Sequence, residues 1–199
     1  MEYYRQEKFR IEADLALRIG RIARQYKNLK LPESESYDVT LNLCLLQALL
    51  SQCNELMEKM DRIGKPDFGL HNPIDEVCWG LDNLVPDIDD FCGSLTIARL
   101  VKNLRNAMCH PTDFNPNAGT PSTGYTTIPD GSNMIKNVVF CNSPDVERSY
   151  RDRIPSARVF MVTLTPSQLY SLVIKLSNLL AQPTKENWDG KTITDIIAA

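Results

Sequence analysis

The chain has 199 residues, of which 43% are apolar and 24% are charged, as in an ordinary soluble globular protein. Its net charge of −3 argues against a general nucleic-acid coat protein, although a local site for anions remains compatible with it. No apolar run is long enough to cross a membrane and no signal peptide is visible, so we expect a cytoplasmic protein without membrane contact.

Two long helices are predicted first. Residues 2–29 carry apolar residues at spacings of four, four, three and four, which predicts one buried stripe: Ile11, Leu15, Ile19, Ile22 and Tyr26. A second helix is predicted from Ser34 or Ser36 to Ile63. Its first half is apolar nearly all round, as expected of the central helix of a bundle. Short helical or turn segments are expected at 73–79 and 85–92.

A third helix is predicted to begin near Ser94 or Thr96 and to end at His110, before Pro111. Its predicted core face consists of Ile97, Val101, Leu104 and Met108. Residues 95–111 contain three basic side chains and no acidic one, whereas residues 32–94 carry a net charge of −10. This helix is therefore a basic element in an acidic protein.

The character of the chain changes after Pro111. Residues 111–133 predict a long surface excursion, and short strands are predicted at 135–141 and 158–164. A last helix is predicted from Thr165, a capping residue, to about Pro183. We therefore predict a mainly α fold, an up-and-down helical bundle with a small β-ribbon inserted before its last helix. It forms one domain, 1–183, with the insertion at 111–164 and a tail at 184–199.

The third helix ends in Arg105-Asn106-x3-His110, a pattern expected by chance about 0.01 times in a chain of this composition. Asn106 and His110 share a face, where the amide can orient the imidazole. Arginine can hold a phosphate and histidine can move protons, while RNA supplies its own 2′-hydroxyl nucleophile. We therefore predict a catalytic set of Arg105, Asn106 and His110 that needs no metal or cofactor. The predicted substrate-binding set on the same helix is Arg99, Lys102 and Asn103.

The motif resembles the Arg-x4–6-His motif of the HEPN superfamily, small helical bundles that include many metal-independent endoribonucleases of toxin–antitoxin and defence systems, often on mobile elements. The resemblance covers the motif and, loosely, the helical pattern of residues 1–110 and 165–182. It implies a homodimer, in which two copies of His110 provide acid and base, and a neutralising antitoxin or regulatory protein as a further partner. In one subgroup a nucleotidyltransferase partner modifies a tyrosine that stands two residues after the histidine. This chain has Thr112 at that position, so the resemblance does not imply that form of neutralisation.

Two other readings of the motif stay open: a non-catalytic HEPN-like module that binds RNA or a protein, and a purely structural dimerisation helix. Several further groups are interpreted as structural or solvated rather than functional. The His71 loop is interpreted as a turn, and the six scattered cysteines as small buried residues without disulfides or zinc. A solvated acidic surface is favoured over a divalent-cation site for one acidic group: Asp82, Asp87, Asp89 and Asp90. A second phosphate-binding patch is the less favoured interpretation of a group of arginines: Arg148, Arg151, Arg153 and Arg158.

Overall fold

A computed structural model describes residues 2–32, 37–63, 95–109, 123–131, 134–143 and 160–188, together with 74, 79, 81, 84 and 85. The helices in this part of the chain are α1 (Glu2–Asn28), α2 (Asp38–Ile63), α3 (Ile97–Cys109) and α4 (Pro166–Trp188). The strands are β1 (Leu84–Val85), β2 (Gly124–Pro129), β3 (Ile135–Asn142) and β4 (Phe160–Leu164). The chain divides into two compact units, one formed by residues 1–68 and 172–199 and the other by residues 69–171.

In the first unit, α1 packs against α2 and against the later part of α4. Its contact with α4 is close because small residues line it. The Ser177 hydroxyl donates a hydrogen bond to the Ala16 carbonyl oxygen (2.6 Å), and Arg24 Nη2 donates one to Asn178 Oδ1 (3.1 Å). A Cβ added to Gly20 would collide with Ser177 Oγ, so only glycine permits this approach.

The buried face of α1 is not the one that its apolar spacing predicts. Of the predicted stripe only Ile19 is buried and Tyr26 is half-buried, while the other three members are exposed. The face that packs is a row of small residues on the opposite side of the helix: Ala13, Ala16, Gly20 and Ala23. The predicted stripe is therefore wrong, because small side chains let the neighbouring helix come closer than a row of isoleucines and leucines would allow.

In the second unit, the four strands form one antiparallel sheet in the order β1-β4-β3-β2. Leu84 pairs with Val162 in β4, and Phe140 of β3 pairs with Val162 on one side and Tyr125 on the other. The rings of Tyr125 and Phe140 stack with centroids 6.0 Å apart. β4 alternates between buried and half-buried residues, as expected of a strand with one face on the core.

The helix α3 packs on β2 and β3 of this sheet. Asn142 of β3 donates a hydrogen bond to Asn103 of α3, so the sheet face that carries Asn142 is the one that α3 covers. Because side chains alternate along a strand, that face also carries Val138 and Phe140. These two residues are fully buried, as are their neighbours on β4 and most of the inward side of α3: Phe160, Val162, Leu164, Leu100, Val101 and Leu104. On the other face, Val139 and Cys141 pack with Ile128 and Met161 in a smaller cluster.

The described part of the chain is helix-rich with a small antiparallel sheet before its last helix, and the coarse fold prediction is confirmed to that extent. The last helix turns five apolar residues inward, and all five are buried: Leu169, Leu172, Val173, Leu176 and Leu180. That helix runs past the predicted end to Trp188. β1 begins one residue before the short helical or turn segment that was predicted at 85–92. β2 lies within the surface excursion that was predicted at 111–133. No helix in the described residues is both long and apolar enough to cross a membrane.

Candidate functional site

The motif helix α3 is capped by Thr96, as its sequence predicts. The backbone N–H of Arg99 donates to Thr96 Oγ1 (3.3 Å), and the N–H of Leu100 donates to the Thr96 carbonyl oxygen (2.9 Å). All four predicted core residues are buried, and the buried arc is wider than predicted because it also takes in Leu100, Ala107 and Asn103. The sheet therefore fixes which side of α3 faces outward.

Asn103 lies in the interior, where only 7% of its surface is exposed. Its Oδ1 accepts a hydrogen bond from Nδ2 of Asn142 (2.7 Å), which is itself only 4% exposed. Thr123 Oγ1 donates to Asn142 Oδ1 (3.4 Å) and accepts from the Ser143 N–H (3.0 Å), which extends the network to the start of β2. This geometry supports a structural role for Asn103, which was predicted as part of the substrate-binding set.

The outward side of α3 carries the remaining polar residues of the motif. Arg105 and Asn106 are half-buried, and Lys102 and Cys109 are exposed. Lys102 stands three residues from Arg105 and four from Asn106, so the helix places all three in adjacent positions, with Cβ atoms about 5–6 Å apart. Arg99, one turn before Lys102, is half-buried as well. The structure therefore brings Arg105, Asn106 and Lys102 together on a surface that a ligand can reach.

The charged residues of α3 itself are all basic. Arg99, Lys102 and Arg105 follow one another at intervals of three residues, and α3 contains no carboxylate. Like charges at such intervals destabilise a helix by about 0.2–0.5 kcal/mol per pair. Since no acidic residue within α3 offsets that cost, the arrangement favours an anionic ligand, such as a phosphate group, as the partner of this face.

The described cysteines differ in environment. Cys109 lies on the outward side of α3 and is exposed, as is Cys44 of α2, whereas Cys141 is fully buried in β3. Burial raises the pKa of the Cys141 thiol from 9.0 to about 11, because a thiolate loses its hydration there. Within the described residues, no group of three or more histidine, cysteine or acidic side chains is placed to hold a metal ion.

His110, the predicted proton-transfer residue, lies outside the described residues. The same is true of Thr112 and of the other sequence-based candidates: His71, Asp82, Asp87, Asp89, Asp90, Arg148, Arg151, Arg153 and Arg158. The roles predicted for these residues therefore stay predictions. One structural residue near the site was missed, Asn142, because nothing in its own segment marks it as the partner of an amide 39 residues away.

Comparison of the chain with protein-family models, with curated proteins and with solved structures found no match.

Proposed function

We propose that this protein is a metal-independent endoribonuclease of the HEPN type, acting as a homodimer in the cytoplasm as a toxin or defence effector. The observation that carries the proposal is the outward face of α3, where Arg105, Asn106 and Lys102 stand together on a helix that contains no carboxylate. An acid–base site for a neutral substrate has no need of such a row of cations. RNA supplies both the negative charge and the internal nucleophile.

In the proposed reaction, Arg105 binds the scissile phosphate and stabilises the extra negative charge of the transition state. His110, oriented by Asn106, removes the proton of the 2′-hydroxyl as the 2′-oxygen bonds to phosphorus. The P–O5′ bond breaks, and a protonated His110 of the second copy donates its proton to the leaving 5′-oxygen. The products carry a 2′,3′-cyclic phosphate and a free 5′-hydroxyl. Lys102 and Arg99 contact flanking phosphates, while Asn103 holds α3 on the sheet.

The test is incubation of the purified full chain with RNA in EDTA. We expect cleavage that leaves 2′,3′-cyclic phosphate ends, with a loss of about 10²–10⁴-fold in rate for His110→Ala and about 10²–10³-fold for Arg105→Ala. Lys102→Ala should weaken RNA binding and lower the salt dependence by about one charge, with the rate at saturation unchanged. Lys136→Ala, an exposed lysine of β3, serves as the matched control and should behave as wild type.

The second candidate function is a non-catalytic module that binds RNA, or a protein partner, through the same face of α3. The exposure of Lys102 beside two further cations favours it as much as it favours catalysis. Salt-sensitive RNA binding that is lost in Lys102→Ala, with no cleavage by wild type, would establish this alternative and overturn the nuclease. An antitoxin or regulatory protein that competes with RNA for this face is compatible with either function.

A further inference from the structure

The outward side of α1 carries an apolar row that no described side chain covers. Three members lie on the helix, Ile11, Leu15 and Ile22, and are exposed by 64%, 45% and 45% of their surface. The fourth, Leu29, is 62% exposed and lies in the turn directly after Asn28. At about 100° per residue the three helical side chains fall within an arc of about 40°. We name this row the α1 seam.

The helical part of the α1 seam extends from Ile11 to Ile22, about 16 Å at 1.5 Å per residue. Single exposed leucines are common on protein surfaces, but several large apolar side chains aligned on one helix face mark a candidate interaction surface. The opposite face of α1 is already occupied by its close contact with α4. The α1 seam is therefore an apolar face of α1 in addition to the face that packs against α4.

The spacing of the α1 seam is that of a coiled coil. Leu15, Ile22 and Leu29 are seven residues apart and occupy one position of the heptad. The other position, four residues before each of them, is occupied by Ile11, Arg18 and Gln25. One position of each heptad is thus always apolar, and the other is polar in two of three cases. A narrow seam of this kind fits a single helix whose axis crosses that of α1 at about 20°. It is too narrow to enter a bilayer surface.

The charge beside the α1 seam indicates which kind of partner helix would pack on it. Arg18 and Arg21 are both exposed along one edge. Asp14 pairs with Arg18 Nε (2.6 Å), so Arg21 gives this edge its net positive charge. A second copy of this chain would bring the same net positive charge to this edge. A helix with carboxylates at its flanking positions would instead pair with the arginines and shield them.

We propose that the α1 seam is the docking site for a partner protein that contributes one amphipathic helix with an apolar heptad row and acidic flanks. This partner approaches α1, not the outward face of α3, and the inference holds whether or not RNA is cleaved. It assigns a use to the three isoleucine and leucine residues that the sequence placed in the core and the structure leaves outside.

The probe is a synthetic 21-residue helix with leucine and isoleucine in a heptad row and glutamate at the flanks, labelled for fluorescence anisotropy. Its matched control carries lysine in place of every glutamate. The full-length protein should bind the acidic peptide at least about tenfold more tightly than the basic one. Leu15→Ser and Ile22→Ser should each weaken binding about tenfold or more, and Tyr37→Ser, an exposed apolar residue outside the seam, should leave it unchanged.

The charge reversal Arg18→Glu with Arg21→Glu provides the decisive arm, because both residues are exposed. Circular dichroism should show that this variant keeps the helical fold. This variant should prefer the lysine peptide. Equal binding of both peptides, or of neither, overturns the proposal. It is also overturned if the wild type self-associates in light scattering and Ile22→Ser abolishes this, or if the seam binds vesicles containing phosphatidylserine instead of the peptide.

Discussion

Asn142 Nδ2 donates a hydrogen bond to Asn103 Oδ1 across 2.7 Å, and both side chains are buried. The bond joins the end of β3 to the middle of α3, two residues before Arg105. It thereby fixes the rotation of α3 about its own axis, since Asn103 has to face the sheet for the bond to form. The outward position of Lys102, Arg105 and Asn106 follows from that rotation.

Removal of either amide should destabilise the fold. We expect Asn103→Ala and Asn142→Ala each to lower the free energy of unfolding by about 1–3 kcal/mol, because the remaining amide is left buried without this partner. The double variant should lose less than the sum of the two, by about 1 kcal/mol. Urea denaturation measures all three, with exposed Lys136→Ala as the control. Strictly additive losses would show that the two amides do not act as a pair.

The substitution Gly20→Ala should be destabilising, against the usual trend in helices. Alanine is favoured over glycine in a helix by about 1 kcal/mol, but its Cβ at this position meets Ser177 Oγ. We expect a net loss of about 1–3 kcal/mol from the forced separation of α1 and α4. The double variant Gly20→Ala with Ser177→Gly should recover part of it in thermal or urea unfolding. A stabilising Gly20→Ala would mean that the two helices are not in close contact.

Stability should depend on the ionisation of Cys141 at high pH. The pKa of this thiol is raised by burial from 9.0 to about 11, so below pH 9 it is protonated in both the folded and the unfolded chain. Between these values the unfolded chain loses the proton and the folded chain keeps it, so stability falls as pH rises, by about 2–3 kcal/mol at most. Urea unfolding from pH 8 to 11 should show this slope in wild type. In Cys141→Ala the free energy of unfolding should fall less over this pH range, by about 2–3 kcal/mol. The same pH dependence in both proteins would show that the Cys141 thiol is not the cause.

Cys109 offers a chemical test of access to the outward face of α3. It is exposed and lies four residues after Arg105, so a bulky group on its sulfur should obstruct the proposed phosphate site. We expect N-ethylmaleimide to lower RNA binding or cleavage at least about tenfold, an effect that corresponds to about 1.4 kcal/mol. Cys109→Ser should retain function and resist the reagent, and Cys44→Ser should remain sensitive. Unchanged function of fully modified wild type would place the RNA elsewhere.

The fold was predictable where one pattern dominated. β3 and β4 are β-branched and apolar, and α4 opens with Thr165 and Gln168 bonded reciprocally, so sequence and structure agree on these elements. β2 was missed because Gly124 and Pro129 suggest a loop. Proline is tolerated at the end of an edge strand, and the threonines between them favour extended backbone.

The rest was missed because periodicity records where apolar residues lie and not what they touch. On α1 two faces competed, and the face of small residues was buried because α4 can approach it closely. On α3 the polar residues divide between two environments: Asn103 is buried by its bond to a distant strand, and Asn106 is half-buried near the outward face. An amide looks equally polar in both settings, so a single sequence gives no sign of this division.

The last strand and the last helix follow each other with only Thr165 between them, and the boundary between the two units lies within that helix. β4 pairs with both β1 and β3, and the later part of α4 supplies the close partner of α1. A ribosome therefore has to translate residues 160–171 before the second unit has all its described elements, and residues 172–188 before the first unit has them. During synthesis the nascent chain exposes the apolar side of β3 and the small-residue face of α1, which makes it a substrate for chaperones and proteases until then. If the proposed activity requires the folded sheet beneath α3, it arises only after β4 has been translated.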